Sequence, residues 1–349
     1  EQMGALYELD RGSAAYSVAM VQWLGSMRPG LLRAAVGLLA GGQHSLRTRY
    51  GYGVRTGQHL EQPGQWVVPA EQWAVPCEHR VTRLDDQGMS ACWAELGSRF
   101  ELELGPVRLL TARQDELWLV LLNQHHIATD GLSHGVLRQE LGRAYDALLR
   151  QACSMTSAAP AVQYAEYAVW QRRWYGSGER LEEQLDWWRS TLGADLPVLE
   201  LQPDFGRPAV LDTGCGGSVP VVLPELGPAC QRCGATEMHG AVGLWAAVLG
   251  MLSGQEAVVV GVPYANRARA ELERVMGYFV STLGVLVKLT DPDSKLESAP
   301  ATLAGLVAQA RAAVLGALEH GEVPFVSVVG ALAGQRESGR SPVYQTMLA

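Results

Sequence analysis

Two adjacent histidines followed at fixed spacing by an aspartate and a glycine, His125-His126-Ile127-Ala128-Thr129-Asp130-Gly131, are the residues of this chain best suited to chemistry. An imidazole changes charge near neutral pH, so it can take or give a proton or hold a nucleophile in line. A nearby carboxylate can orient it or tie down the loop that carries it. The flanks show how such a group would be presented. Upstream, Leu117 to Leu122 is a short apolar run after Asp115-Glu116, as expected of a buried strand. Downstream, Val136, Leu137, Leu141, Tyr145 and Leu148 recur at helical spacing, with Ser133 as candidate N-cap of a helix reaching about Gln151. The site is therefore expected where a strand gives way to a loop and helix. Because strand side chains alternate, His125 and His126 are expected on opposite faces, one working and the other packing.

Composition bounds the rest. A chain of 349 residues, 48% hydrophobic and 18% charged, can bury a sizeable core and exceeds one average domain. The net charge of -8 and the lack of a basic run interleaved with aromatics argue against nucleic acid as a partner. No apolar run reaches the roughly 18 residues that would span a bilayer, and the opening lacks a signal-peptide pattern, so a cytoplasmic protein without membrane contact is expected. Only Lys288 and Lys295 are lysines among the 28 basic residues, a bias that suggests a GC-rich bacterial genome. The six cysteines are scattered and read as thiols. Cys230-Gln231-Arg232-Cys233 supplies only half of a closed zinc site, so no metal is expected.

Strand-like and helix-like segments interleave along the chain, which implies an α/β fold with helices covering sheets. Ala15 to Val21 reads as a strand, Leu31 to Leu39 as a helix, Phe100 to Leu104 as an alternating extended piece and Val107 to Thr111 as its continuation. Arg113-Gln114-Asp115 reads as the hairpin turn into the histidine-bearing strand. Ser154 to Pro160 reads as a surface connection. An aromatic-rich helix is then expected to run past Gly176-Ser177-Gly178 into Leu181 to Leu192. From about Asp195 the chain is Pro-punctuated. After it, a helix around Gly240 to Leu252, strands at Ala257 to Val262 and Gly277 to Val287, and helices at Leu303 to His320 and Pro324 to Leu332 are expected.

Several stretches in order resemble the condensation domains of nonribosomal peptide synthetases, in the chloramphenicol acetyltransferase-like superfamily. The histidine segment matches HHxxxDG. Gln43-His44-Ser45-Leu46-Arg47-Thr48-Arg49-Tyr50 resembles RHExLRTxF, and Tyr164 to Trp170 resembles YxDYAxW. Met276-Gly277-Tyr278-Phe279-Val280-Ser281-Thr282 resembles IGxFVNT, Gly321 to Phe325 is similar to the motif ending in PFE, and Arg340 to Gln345 resembles SRNPLFQ. Gln43, Ser45, Ser281 and Val326 depart from the family's Arg, Glu, Asn and Glu.

The resemblance implies two acetyltransferase-like α/β sandwich lobes forming a V-shaped pseudo-dimer. Residues 1–178 would form the N-terminal lobe with the HHxxxDG site and the donor and acceptor tunnel; 179–349 would form the C-terminal lobe, lacking its last elements. It implies peptide-bond formation between a carrier-bound acyl or peptidyl thioester and the amine of a carrier-bound aminoacyl group. The partners would be upstream and downstream peptidyl carrier proteins and neighbouring adenylation domains. No cofactor would be bound by the domain itself, its substrates riding on phosphopantetheine. His126 would face the tunnel as general base or positioner, with His125 beside it. Asp130 would hold the loop through an ion pair, with Arg267 as its partner. Gly131 would allow close backbone approach, or a φ that a Cβ would resist, and its amide would face the oxyanion. Arg47 is read as an inter-element salt bridge, Ser133 as structural support, His134 as exposed or lining, and the Tyr164–Trp188 aromatics as packing. Ser281 lacks an acid or base partner and is not a nucleophile. Two alternatives stand: an epimerisation domain of the same superfamily, disfavoured because Ser133 is followed by His134 and not Trp, and a catalytically silent module that recruits a carrier or tailoring enzyme. A cyclisation domain is disfavoured by the intact histidine pair.

Overall fold

The computed structural model of the chain describes residues 16–52, 64–81, 86–151, 159–175, 178–193, 196–204, 217–290, 301–332 and 341–349. Most of the connection expected at Ser154 to Pro160, and Arg340 of the last motif, lie outside the described residues. The chain divides into two compact units, Glu1–Arg173 with Arg267–Phe279, and Trp174–Asn266 with Val280–Ala349. The first unit in addition takes in 267–279, a loan from the later half of the chain that no local pattern signals.

The first unit contains β1 (Ser17–Leu24), α1 (Pro29–Gly42), β2 (Thr48–Gly51), β3 (Gly64–Val67), β4 (Cys77–Val81), α2 (Asp86–Leu96), β5 (Val107–Gln114), β6 (Leu117–His125), α3 (Gly131–Leu149) and most of α4 (Tyr164–Tyr175). Its main sheet has the order β1-β6-β5-β4, antiparallel except for the parallel β4–β5 pair. β6 is apolar on both faces because both are covered. Val120 and Leu122 lie in the cluster with Leu39, Leu46 and Leu137, while Leu119 and Leu121 pack against Cys92 and Leu96 of α2. Asp115 takes φ 50° in the turn between β5 and β6, a conformation Asp tolerates better than most residues. In α1, Pro29 sits at the helix start, where its missing N–H is no loss, and Leu32, Ala35, Val36 and Leu39 form the buried stripe.

The alternating piece expected at Phe100 to Leu104 is not a strand. Leu104 N–H donates to the Glu101 carbonyl at 2.8 Å, closing a turn, and Gly105 follows at φ 141°. Phe100 and Leu102 are buried with Tyr50, Ile127 and Ala128, so two inward residues of a coil produced the alternation. The aromatic helix also does not run on. α4 ends at Tyr175, and Gly178, at φ 107°, starts a separate helix, because that backbone cannot continue an α-helix.

The second unit contains α5 (Glu179–Leu192), α6 (Leu226–Arg232), α7 (Glu237–Ser253), β7 (Ala257–Tyr264), β8 (Ser281–Lys288), α8 (Leu303–Glu319), α9 (Phe325–Ala331) and β9 (Thr346–Met347). Its sheet has the order β8-β7-β9, with β8 antiparallel and β9 parallel to β7. Trp188, Leu192, Val242, Val258, Val260, Val285, Val287, Ala310 and Val314 form its core. α7 begins with Thr236 bonded to the His239 amide and ends at Gly254, φ 70°. β8 starts at Ser281 and not at Gly277, because the residues before it bond to site residues of the first unit rather than to a ladder. Cys230 is buried beneath Gly240, where an added Cβ would collide with its Sγ. None of the four described cysteines is in a disulfide, and no metal-binding cluster occurs among the described residues. No helix among them is long and apolar enough to cross a membrane.

Candidate functional site

His125 is the last residue of β6 and 1% exposed. Its ring packs edge-on against Phe100 at 5.7 Å and near Tyr16 at 6.2 Å, and its Nδ1 accepts the Ile127 N–H at 3.0 Å. It is a packed ring that caps the turn after the strand. His126 is half-buried, and its N–H donates to the Tyr16 carbonyl at 2.8 Å. Its Nδ1 lies 2.8 Å from the Thr129 carbonyl oxygen. A carbonyl only accepts, so Nδ1 carries a proton, and in the neutral form of the ring the lone pair lies on Nε2. No described residue occupies Nε2. The His126 ring meets Tyr278 edge to face, centroids 5.2 Å apart at 88°.

Asp130, and not Ser133, is the N-cap of α3. Its Oδ1 accepts the Ser133 N–H at 2.8 Å, which makes Ser133 the third helical residue and the capped one. Ser and Asp are both strong cap formers, so the type of residue did not decide between them. Asp130 also receives Arg267 Nη2 at 2.9 and 3.2 Å and the Phe279 N–H at 3.0 Å. Both side chains of this ion pair are at most 4% exposed. Arg267 in turn donates through Nη1 to the Leu272 and Val275 carbonyls, gives Nη2 to Ser133 Oγ at 2.7 Å, and lies 4.0 Å over the Phe279 ring. Ser133 Oγ donates to the Gly277 carbonyl at 3.0 Å and accepts the Gly277 N–H at 3.1 Å. The Asp130 carboxylate is thus filled by cap, guanidinium and backbone, and its work is to pin 267–279 to the start of α3.

Gln43, where the family pattern has Arg, serves the same segment. It donates Nε2 to the Arg274 carbonyl at 2.8 Å and accepts the Met276 N–H at 2.9 Å, a pair of roles that a donor-only guanidinium does not combine. Gly277 is required by contact: a Cβ there would collide with Tyr164 Cδ2. Tyr164 and Tyr167 pack against Phe279 at 4.9 and 4.8 Å, as expected of a packing cluster. Trp187 and Trp188 belong to the core of the second unit. Arg274 adds an ion pair to buried Glu140 at 2.9 Å.

Two expectations are corrected. Arg47 is not paired with a carboxylate among the described residues. Its guanidinium donates to the carbonyls of Ala40, Gly41 and Val68, because the last carbonyls of α1 have no helical partner and need a donor. At Gly131 the expected φ that a Cβ would resist is absent, since its φ is not left-handed. It is the exposed first residue of α3, and an added Cβ would meet nothing within 4 Å. Sequence reasoning passed over Thr129, whose carbonyl fixes the His126 tautomer, and Tyr278. Tyr278 lay in plain view inside the Met276–Thr282 motif; a backbone carbonyl leaves no trace in a sequence. His134, expected as exposed or lining, is half-buried one turn into α3.

Burial lowers the pKa of His44, His134, His239 and His320, helped at His44 by Arg47, at His134 by His126 and at His239 by Arg311. A histidine whose folded pKa is depressed resists a proton that the unfolded chain accepts near 6.5, so its stabilising contribution is present above that pH and is lost below it. The urea midpoint is therefore expected to fall between pH 7.5 and 5.5, and His134→Leu should flatten part of that fall. A midpoint independent of pH over this window would contradict the burial of these rings.

The family model described as the condensation domain matches residues 1–349. Malpinin synthetase of Mortierella alpina is 35% identical over 262 residues, covering 73% of this chain and 3% of that protein. A linear gramicidin synthase of Brevibacillus parabrevis is 34% identical over 270 residues, covering 75% and 5%. The chain thus spans a small part of these relatives, and since they come from a fungus and a bacterium they lend no support to a bacterial source. Among solved structures, the X-domain from teicoplanin biosynthesis superposes with a TM-score of 0.83 at 24% identity, covering 99% of this chain and 75% of that one. The first condensation domain of the calcium-dependent antibiotic synthetase, in complex with a substrate analogue, gives 0.71 at 22%, covering 97% and 78%. These likenesses show the chloramphenicol acetyltransferase-like α/β fold.

Proposed function

Because the chain belongs to the condensation-domain family of nonribosomal peptide synthetases, we propose that it joins a carrier-bound acyl or peptidyl thioester to the amine of a carrier-bound aminoacyl group. The amine nitrogen attacks the thioester carbonyl, the C–N bond forms, the C–S bond breaks, and the donor carrier's pantetheine leaves as a thiol. The observation that carries this reading is the His126 tautomer. With Nδ1–H held by the Thr129 carbonyl, the free lone pair sits on Nε2, where it can accept a hydrogen bond or proton from the amine. Proton acceptance supplies about 10²- to 10⁴-fold. Holding two tethered reactants together supplies up to roughly 7–11 kcal/mol, so positioning is the larger share. The domain holds no cofactor of its own in this reading; carrier proteins bring both substrates on phosphopantetheine, and adenylation domains load them.

Gly131 fits the same account. The fold leaves open space beside it, so its lack of a side chain serves what approaches from outside, and the amides of Gly131 and Leu132 start α3 where no helical carbonyl can reach them. Gly131→Ala is expected to leave stability unchanged or raise it by up to about 1 kcal/mol, since Ala is the better helix former, while slowing amide formation. A thermal melt and a turnover assay on the same preparation check both, and an Ala variant as fast as the parent would remove Gly131 from the site.

A second reading, a silent recruitment module, is favoured by the likeness to the teicoplanin X-domain, which has been solved in complex with OxyB. Donor- and acceptor-loaded carriers incubated with the protein separate the readings by mass spectrometry. Amide on the acceptor carrier supports condensation; an inverted donor without amide indicates epimerisation; neither, together with capture of a tailoring enzyme, indicates recruitment.

A further inference from the structure

A single hydrogen bond at Nδ1 does not fix an imidazole, because the ring can still rock about the line joining Nδ1 to the Thr129 carbonyl, and the terminal torsion of a histidine is broad. A second contact is needed to hold the plane. Tyr278 supplies one: its ring stands at 88° to that of His126 with centroids 5.2 Å apart, within the range of a favourable edge-to-face pair. Tyr278 is itself held on both sides. Gly277 before it is bonded through both N–H and carbonyl to Ser133 Oγ, Phe279 after it donates its N–H to Asp130 Oδ2, and its own carbonyl accepts the Tyr164 hydroxyl at 2.8 Å. The backbone that carries the ring is therefore tied to the first turn of α3, the same turn that follows His126 in the chain.

Resting on the function proposed above, we propose that Tyr278 is the positioning residue of His126, keeping Nε2 aimed in one direction, and that the Asp130–Ser133–Arg267 network reaches the histidine through it. This gives the buried carboxylate an influence on the chemistry without any contact to the imidazole. Tyr278 also packs with Ile127 and Ala128, so a merely structural role has to be separated from this one.

Two variants do so. Tyr278→Phe keeps the ring, and Tyr278→Met keeps most of the volume with a flexible side chain, so the cluster stays filled while the edge-to-face contact is lost. ¹³C relaxation order parameters at the His126 Cε1–H and Cδ2–H positions report the motion of the ring in the free protein, with no need of substrate. The wild type and Tyr278→Phe are expected to show a rigid ring and Tyr278→Met a ring of clearly larger amplitude, with the Nδ1–H bond to Thr129 kept in all three. In single-turnover condensation, Tyr278→Met should lose about tenfold in kcat with little change in KM for the carriers, within the hundredfold that a 1 Å misplacement can cost, and Tyr278→Phe should recover the rate. Unchanged His126 ring order parameters in Tyr278→Met overturn the proposal. If the ring loosens as expected but the wild type forms no amide, the positioning of His126 stands and the condensation reading fails.

Discussion

Asp130→Ala is expected to lower the unfolding free energy by about 3–5 kcal/mol, the usual consequence of removing one member of a buried ion pair. The loss has identifiable parts. Arg267, 4% exposed in its side chain, would keep its charge with only two carbonyls and a hydroxyl as partners, since a guanidinium cannot shed a proton to escape burial. The Ser133 and Phe279 amides would lose their acceptor as well, undoing the cap of α3 and the seat of residues 267–279. Asp130→Asn should lie close behind, because one of its two amide ends must turn an N–H toward a donor. Removing both charges in Asp130→Ala/Arg267→Met should cost less than the two single changes added together. Urea midpoints of Asp130→Ala, Asp130→Asn, Arg267→Met, the double variant and the parent test the ordering. A loss below about 1 kcal/mol for Asp130→Ala, as for an exposed pair, would show that the network does not hold the segment.

The second large effect is chemical. His126→Gln and His126→Ala are expected to reduce amide formation by about 10²- to 10⁴-fold if the ring accepts the proton, with unfolding midpoints close to that of the parent, because the side chain is half-exposed and its ring makes one hydrogen bond. Gln retains a donor and an acceptor but no basic nitrogen. A general base therefore predicts that Gln is as slow as Ala. A positioner predicts that Gln recovers much of the rate. The Asp130 carboxylate does not enter this comparison as a base, since every donor around it is already matched.

What could be read from the sequence was what local pattern controls. β6 was legible because a strand covered on both faces is a continuous apolar run, and α1, α7 and α8 because their buried stripes repeat at helical spacing. Local pattern failed where one residue's backbone decides. Gly178 divides what read as one helix, and Gly105 follows a turn where alternation suggested a strand. The cap of α3 was misplaced by three residues because the capping and the capped residue are of the same chemical kind. Long-range partners had no local signal at all. Arg267 lies 137 positions from Asp130 and was found only through the family motif, while the bridging role of Gln43 looked like a simple departure from it. The LRT segment likewise does not reveal what Arg47 serves, because its partners at the end of α1 are backbone carbonyls, which carry no side-chain signal.

On the function proposed above, the domain forms an amide and His126 is the group that makes it fast. The most direct measurement is a rapid-quench, intact-mass experiment that mixes donor-loaded and acceptor-loaded carrier proteins with the protein or its His126→Gln variant and follows the mass of the acceptor carrier. The acceptor is expected to gain the donor's acyl mass as the donor carrier reverts to its free thiol, and this transfer is expected to collapse in the variant while its fold is intact. Equal transfer by both proteins would contradict the role of His126, and no transfer by either would contradict condensation itself.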